Sequence, residues 1–298
     1  MTRTRANALL LLAGATWGMG FIAQSTAMDA IGPYLFIALR FVVASLAVLP
    51  LALREMRRAP APLRARDHAT HALVGAVFFA GMAFQQVGLL TTSVTNSGFL
   101  TGLYVLFTPL LGIALFREWP HPVVWPAALV ALVAIFLLGG GSLSTLVIGD
   151  VYTIVCAVFW AAQIVLIGRF VRAGGRPLAL ALTQFAVCAG LAALVAVARE
   201  PIAWEAIRAA GPAILYAGLV ASAFAFTVQI VAQAHTTAPQ AAIMLSSESL
   251  FAALFAALFL DERLAAIGLV GCALLFVAML AVELVPLLRP ARAVGEAP

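Results

Sequence analysis

The chain contains no lysine, and its 17 basic side chains are all arginine. Charge of either sign is scarce, at 10% of 298 residues. A soluble domain carries about 25% charged residues, so a soluble globular class is excluded. Cysteine is nearly absent. Cys156, Cys188 and Cys272 stand singly in apolar runs without CxxC spacing, which argues against a disulfide framework or a cysteine metal site. The HExxH and GxSxG patterns are missing, so no metal, no cofactor and no enzymatic activity is expected. Short alternating apolar and polar segments, the mark of a membrane β-barrel, are missing as well.

What is present is apolar sequence, 64% of the chain, with a mean hydropathy of +1.09. About 20 apolar residues in a helix cross the hydrocarbon of a bilayer. Ten such segments are expected: 6–28, 33–53, 69–90, 94–116, 121–139, 149–171, 177–198, 211–233, 239–260 and 264–286. The fold class is therefore an all-α integral membrane protein with ten transmembrane helices. Arg3 and Arg5 precede the first run, as in a signal peptide, but the run continues to Met28 with no small-residue cleavage site after it. It is read as a retained first helix. With a cytoplasmic N-terminus, Arg54, Arg57, Arg58, Arg64, Arg66, Arg117, Arg169, Arg172 and Arg176 all fall inside, and only Arg199, Arg208 and Arg263 fall outside. Basic residues stay on the cytoplasmic side, so both termini are expected there. The net charge of +5 is then a topology signal, and no nucleic-acid partner is expected.

Polar residues recur at an interval of about 144. Pro33 returns as Pro177, Arg40-Phe41 as Gln184-Phe185, Gln85 as Gln229, Asn96 as Gln240, Tyr104 as Glu248 and Glu118 as Glu262. Trp17 returns as Trp160, one residue out of step. Two repeats follow, 6–139 and 149–286, with a cytoplasmic tail over 287–298 and Gly139-Gly140-Gly141 at the hinge. Five helices is an odd number, so the second repeat enters the membrane inverted. Inverted repeats that rock against each other expose a central site to each side in turn. The expectation is a secondary transporter working by alternating access.

The buried polar groups mark where that site lies. Glu248 falls near the middle of the ninth helix, where a carboxylate needs a partner, a proton or a wet cavity. It is read either as a proton-coupling or amine-binding group, or as a structural carboxyl bonded between helices. Arg40, within the second helix, either grips a solute carboxylate in bidentate fashion or pairs structurally, with Glu248 or with helix-end carbonyls. Gln85, Gln86, Gln163, Gln184 and Gln229 either line a cavity or tie helices together. Trp17 and Trp160 lie mid-helix, where they flank a ligand or pack the core. Ser97, Thr101, Tyr104 and Thr108 form a polar stripe on the fourth helix, with Asn96 near its start and Pro109 expected to kink it; the stripe either lines a pore or packs a tight interface. Gly14-x-x-x-Gly18 and Gly98-x-x-x-Gly102 permit close helix approach. The expected cavity is lined by Trp17, Arg40, Gln85, Gln86, Asn96, Tyr104, Trp160, Gln163, Gln184, Gln229 and Glu248. One residue of each charge suits a zwitterion such as an amino acid. A nucleotide-sugar or phosphorylated-sugar carrier is the alternative, and a non-transporting sensor or scaffold is the rival from another class.

Thr16-Trp17-Gly18, Arg40 after Pro33, Gln86-x-Gly88-Leu89, Asn96-x-Gly98-Phe99-Leu100-Thr101, Pro109-Leu110, Gly149-Asp150, Trp160-Ala161, Ser247-Glu248 and Leu260-Asp261-Glu262 occur in an order that resembles the drug/metabolite transporter superfamily, in its ten-helix bacterial group with two EamA domains. The resemblance runs over roughly 7–286. It implies a transporter in the bacterial inner membrane, often an exporter of amino acids, related metabolites or drugs, with a small-molecule substrate, lipid around it, and a monomeric or weakly dimeric state. The family often has proline after the ninth-helix glutamate. Ser249 stands there instead, which leads us to expect a straighter ninth helix.

Overall fold

A computed structural model of the protein describes residues 1–92, 94–138, 141, 147–173, 175–259 and 265–288. Among the described residues the chain is helical, with no strand. The helices are α1 (Arg3–Met28), α2 (Pro33–Arg58), α3 (Ala65–Gly88), α4 (Val94–Thr101), α5 (Tyr104–Phe116), α6 (Val124–Leu138), α7 (Ile148–Arg172), α8 (Pro177–Arg199), α9 (Trp204–Ala209), α10 (Gly211–Gly218), α11 (Ala225–Gln233), α12 (Ala238–Leu245), α13 (Ser247–Phe259) and α14 (Ala266–Leu288). A π-helical turn, Leu219–Phe224, joins α10 to α11 into one rod. Six runs are long and apolar enough to cross a membrane among the described residues: α2, α3, α7, α8, Gly211–Gln233 and Ala266–Pro286.

Helix starts follow local chemistry. Proline stands in the first turn of α2, α8, α10 and α12, where a missing N–H costs no helical hydrogen bond. Asp150 accepts the Val147 N–H at 3.0 Å at the head of α7. Asp67 does the same for Arg64 at 2.9 Å at the head of α3.

Two expected segments differ from what is observed. The fourth is divided at Gly102-Leu103 and not at Pro109, which sits inside α5. The cause is a local tightening. Leu103 N–H bonds Leu100 O at 3.2 Å and Val105 N–H bonds Gly102 O at 3.1 Å, three residues back instead of four. The ninth is divided too, at Ser246, so the expected straight helix is not found. Ser246 Oγ donates to Ile243 O at 2.7 Å, and Ser249 N–H bonds Ser246 O at 3.2 Å. A serine that competes for backbone carbonyls divides the helix without proline. The two turns occupy equivalent places in the two repeats.

Helices pair with their own repeat counterparts. The α2 helix packs on α8 and α6 packs on α14, while α3 packs on α7 as α1 packs on α11. The α2–α8 pair is antiparallel and held at both ends. Glu55, near the end of α2, accepts the Leu178 and Ala179 N–H groups of α8 at 3.3 and 2.9 Å. Glu200, just past α8, accepts the Tyr34 and Leu35 N–H groups of α2 at 2.9 and 2.7 Å. Each carboxylate therefore sits on the positive end of the other helix. Midway, Phe41 stacks on Phe185, ring centroids 5.7 Å apart. These two are repeat mates, and a residue touching its own mate lies on the axis that relates the halves. In lipid, apolar burial gives helices little drive to associate, so such packing and end contacts matter more than in water.

The end contacts yield a prediction. Glu55→Ala and Glu200→Ala should each cost about 1–2 kcal/mol, read as a lower apparent melting temperature in detergent, and Glu→Gln should cost less. A Cβ on Gly32 would fall on the Glu200 carboxylate, so Gly32→Ala should reproduce the Glu200→Ala loss. Equal melting of all five variants and wild type would refute the end-capping role.

Candidate functional site

Where the halves meet there is a cavity, mostly apolar in its walls with a few polar groups among them. It is lined by Trp17, Gly20, Gln24, Arg40, Met82, Gln85, Thr101, Tyr104, Trp160, Ile164, Ala221, Phe226, Gln229, Leu245 and Glu248. Its volume is about 40 Å³, counted as room for the centres of water molecules. That holds a few waters, so an amino-acid-sized solute enters only if side chains move.

The axis runs through this site. Tyr104, at the start of α5, donates its hydroxyl to Glu248 Oε1 at 3.3 Å across 144 residues. This is a second pair of repeat mates in contact. Both residues follow directly on the divided turns, which place them at the mid-height of the bundle. Gly14 on α1 makes the packing possible, because a Cβ there would meet the Glu248 N and Leu245 O at 3.2 Å and overlap the Ser247 hydroxyl.

Arg40 is 2% exposed and does not pair with Glu248. Its Nε donates to Ser222 Oγ at 2.6 Å, on the π-helical turn, and its guanidinium lies 5.1 Å from the Phe41 ring centroid. Its Nη1 has no hydrogen-bond partner among the described residues. A guanidinium is always charged and carries five donors, and the two on Nη1 are unused beside a cavity that Arg40 lines. Trp17 Nε1 donates to Ala221 O at 2.8 Å, also on the π turn. Its ring lies 4.6 Å from Phe226, which stacks on Trp160 at 5.7 Å and 7°. Trp160 Nε1 has no oxygen or nitrogen acceptor among the described residues. Cys156, a weak acceptor, sits one turn before it.

Of the expected lining residues, Trp17, Arg40, Gln85, Tyr104, Trp160, Gln229 and Glu248 face the cavity. Gln163 and Gln184 do not. They stand behind Gln229 in a relay, in which Gln229 Nε2 donates to Gln163 Oε1 at 3.2 Å and Gln163 Nε2 to Gln184 Oε1 at 3.1 Å. Gln229 also reaches Gln233 Oε1 at 3.1 Å, and Gln233 Nε2 reaches Ile164 O at 2.9 Å. Amides need partners in hydrocarbon, and these find one another. Gln86 does not line the cavity either, and its amide contacts Met28 Sδ at 2.9 Å. The Asn96 side chain, like Glu262 and Glu283, lies outside the described side chains. Gln24 escaped the sequence reading, although it lies seven residues after Trp17 on the same face of α1. Met82 and Phe226 also line the cavity. Glu118 is remote from the cavity. It pairs with Arg169 at 2.8 Å and Arg172 at 3.1 Å on exposed helix ends, where ion pairs contribute about 0–1 kcal/mol.

An apolar, duplicated helical bundle enclosing a cavity with a carboxylic acid and a guanidinium that do not pair is the architecture of a membrane transporter, and not of an enzyme. The EamA-like transporter family profile matches the chain twice, over residues 4–140 and 147–284. The chain belongs to the EamA-like transporter family, within the drug/metabolite transporters. An "Uncharacterized transporter" of Archaeoglobus fulgidus is 30% identical over 282 residues, covering 95% of this chain and 87% of that protein. A solved crystal structure superposes with a TM-score of 0.80 at 19% identity, over 97% of this chain and 100% of the other, and supports the fold alone.

The Gly14 contact can be tested by size. Gly14→Val should displace the α12–α13 turn and lower both the melting temperature and the yield of monodisperse protein. Gly98→Ala, with nothing within 4 Å of its new methyl, should leave both unchanged. If the two variants behave alike, close approach at Gly14 is not what holds the turn in place.

Proposed function

We propose that the protein is a secondary active transporter, an exporter of small amphipathic metabolites and amino acids foremost, working by alternating access in the bacterial cytoplasmic membrane. The observation that carries this reading is the separation of charge in one cavity. Among the described residues Arg40 Nη1 is unused, Glu248 has the Tyr104 phenol as its side-chain partner, and the two charged groups do not pair with each other. A zwitterion fits such a pair, its carboxylate toward Arg40 and its ammonium toward Glu248. The Trp17–Phe226–Trp160 stack supplies the apolar wall. Arg40 is the sole cation among the described lining residues, which disfavours a phosphorylated sugar or a nucleotide sugar, whose phosphates call for several.

The proposal takes the bundle as ten crossings in two inverted repeats, 6–139 and 149–286, with both termini and the 287–298 tail in the cytoplasm. The antiparallel α2–α8 pair and the repeat-mate contacts at Phe41–Phe185 and Tyr104–Glu248 support it. Residues on the axis keep contact when the halves rock, while the surroundings open to one side or the other. A monomer suffices for this cycle. Glu248 is its proton-coupling group, since a carboxyl facing a cavity between two entrances exchanges its proton on each side in turn.

Reconstituted protein tests the reading. Wild type should show counterflow of at least one amino acid. Arg40→Lys, which loses the planar fork, should reduce it on the order of 10–100-fold. Glu248→Gln should keep exchange but lose acceleration by an imposed proton gradient. Absence of amino-acid flux under every gradient would remove the substrate assignment, and an unchanged proton response in Glu248→Gln would remove the coupling role.

A further inference from the structure

The three arginines at the end of α2 do no work inside the protein. Arg54, Arg57 and Arg58 are exposed, and none has a hydrogen-bond or ion-pair partner among the described residues. The carboxylate on the same turn, Glu55, makes no ion pair with them among the described residues, and its two oxygens accept from the Leu178 and Ala179 amides. Together with Pro50 and Leu53 the three arginines form a shallow, open groove on the outer face of α2. The groove continues an apolar stripe. Leu46, Pro50, Leu53 and Arg57 fall at i, i+4, i+7 and i+11, one face of the helix, and Leu46 is 64% exposed. Along this face a hydrocarbon surface passes directly into a cluster of guanidinium groups.

The second repeat provides an internal comparison. On α8 the equivalents of Pro50 and Leu53 are Leu194 and Val197, which are 70% and 73% exposed. The apolar stripe is thus kept at these two positions, while Gly190 stands in place of Leu46. The equivalents of Arg54, Arg57 and Arg58 are Ala198, Pro201 and Ile202. The guanidinium cluster belongs to one end of the bundle only, and packing of the helix pair does not require it, since α2 and α8 use equivalent faces against each other.

We propose that this groove is a binding site for an anionic phospholipid, with its phosphate among Arg54, Arg57 and Arg58 and an acyl chain along Leu46, Pro50 and Leu53. Guanidinium groups match phosphate oxygens in bidentate geometry, and basic residues just cytoplasmic of a membrane helix attract anionic lipid. On the proposed topology the groove faces the cytoplasmic leaflet. The assignment does not depend on what the central cavity carries. The occupied lipid ties the end of α2, and through Glu55 the start of α8, to the bilayer surface.

The test compares full-length protein in nanodiscs of phosphatidylcholine alone and with added phosphatidylglycerol. Wild type should melt on the order of 5 °C higher with phosphatidylglycerol and should retain phosphatidylglycerol over phosphatidylcholine in native mass spectra. R54Q/R57Q/R58Q should lose the shift and the preferential retention, and R54K/R57K/R58K should keep most of both. Inorganic phosphate should give no shift. No lipid preference in wild type, an undiminished preference in the glutamine variant, or an equal shift from free phosphate would each overturn the site. If the triple variant does not fold, the single variant R57Q decides by native mass spectrometry: reduced phosphatidylglycerol retention supports the groove, and wild-type retention removes it. Failure of amino-acid counterflow leaves these readouts untouched.

Discussion

Everything in this protein hangs on the crossing of α2 and α8. Two long helices run antiparallel, each end pinned by a carboxylate on the opposing helix's free amides, with Phe41 and Phe185 face to face between. A helix leaves four amides unsatisfied at its start, and in or near hydrocarbon such groups cost several kcal/mol if left bare. The glutamates remove that cost and fix the register of the pair in the same contacts. Once the register is fixed, Arg40, one residue before Phe41, can only point toward the π-helical turn and the cavity. The position of the site follows from the clamp.

The second organising fact is how polar groups are distributed. The bundle holds a chain of buried amides, Gln184, Gln163, Gln229 and Gln233, which bond to one another and end on the Ile164 carbonyl. They are structural mortar. Four of the unpartnered buried atoms gather at the site: an Arg40 nitrogen, the Trp160 indole N–H and the Gln24 and Gln229 oxygens have no oxygen or nitrogen partner among the described residues, and all four residues border the cavity. A buried unmade hydrogen bond costs about 1–3 kcal/mol. Retaining four around one small space makes sense where a solute or water completes them.

Much of this was legible in the sequence, for a physical reason. Hydrocarbon penalises polar groups so heavily that each one inside an apolar run carries information, and the recurrence of Gln85 as Gln229 and Tyr104 as Glu248 pointed to the axis. Trp17, Arg40, Trp160 and Glu248 were found that way. The misreadings have physical causes too. Gln163 and Gln184 share the composition of lining residues, and only their partners reveal that they are consumed by neighbouring amides. The divisions at Gly102-Leu103 and Ser246 left no proline signature, because a shift from four-residue to three-residue hydrogen bonding needs only a glycine or a competing hydroxyl. The reciprocal glutamates were invisible, since Glu55 sits among arginines that read as an ordinary solvated turn. The π-helical turn that receives Arg40 and Trp17 is likewise set by tertiary contacts, with no pattern of its own in Leu219–Phe224.

The contact between Tyr104 and Glu248 has a consequence for ancestry. A symmetric pair of identical half-length subunits would present the same side chain from both sides at that point. Two glutamates would crowd their charges or be forced to share a single hydrogen, and two tyrosines would offer no acid at all. Joining the halves into one polypeptide frees the partners to diverge, so that a phenol can donate to a carboxyl in a fixed direction. A directed phenol-to-carboxyl contact at this point therefore requires two halves of different sequence.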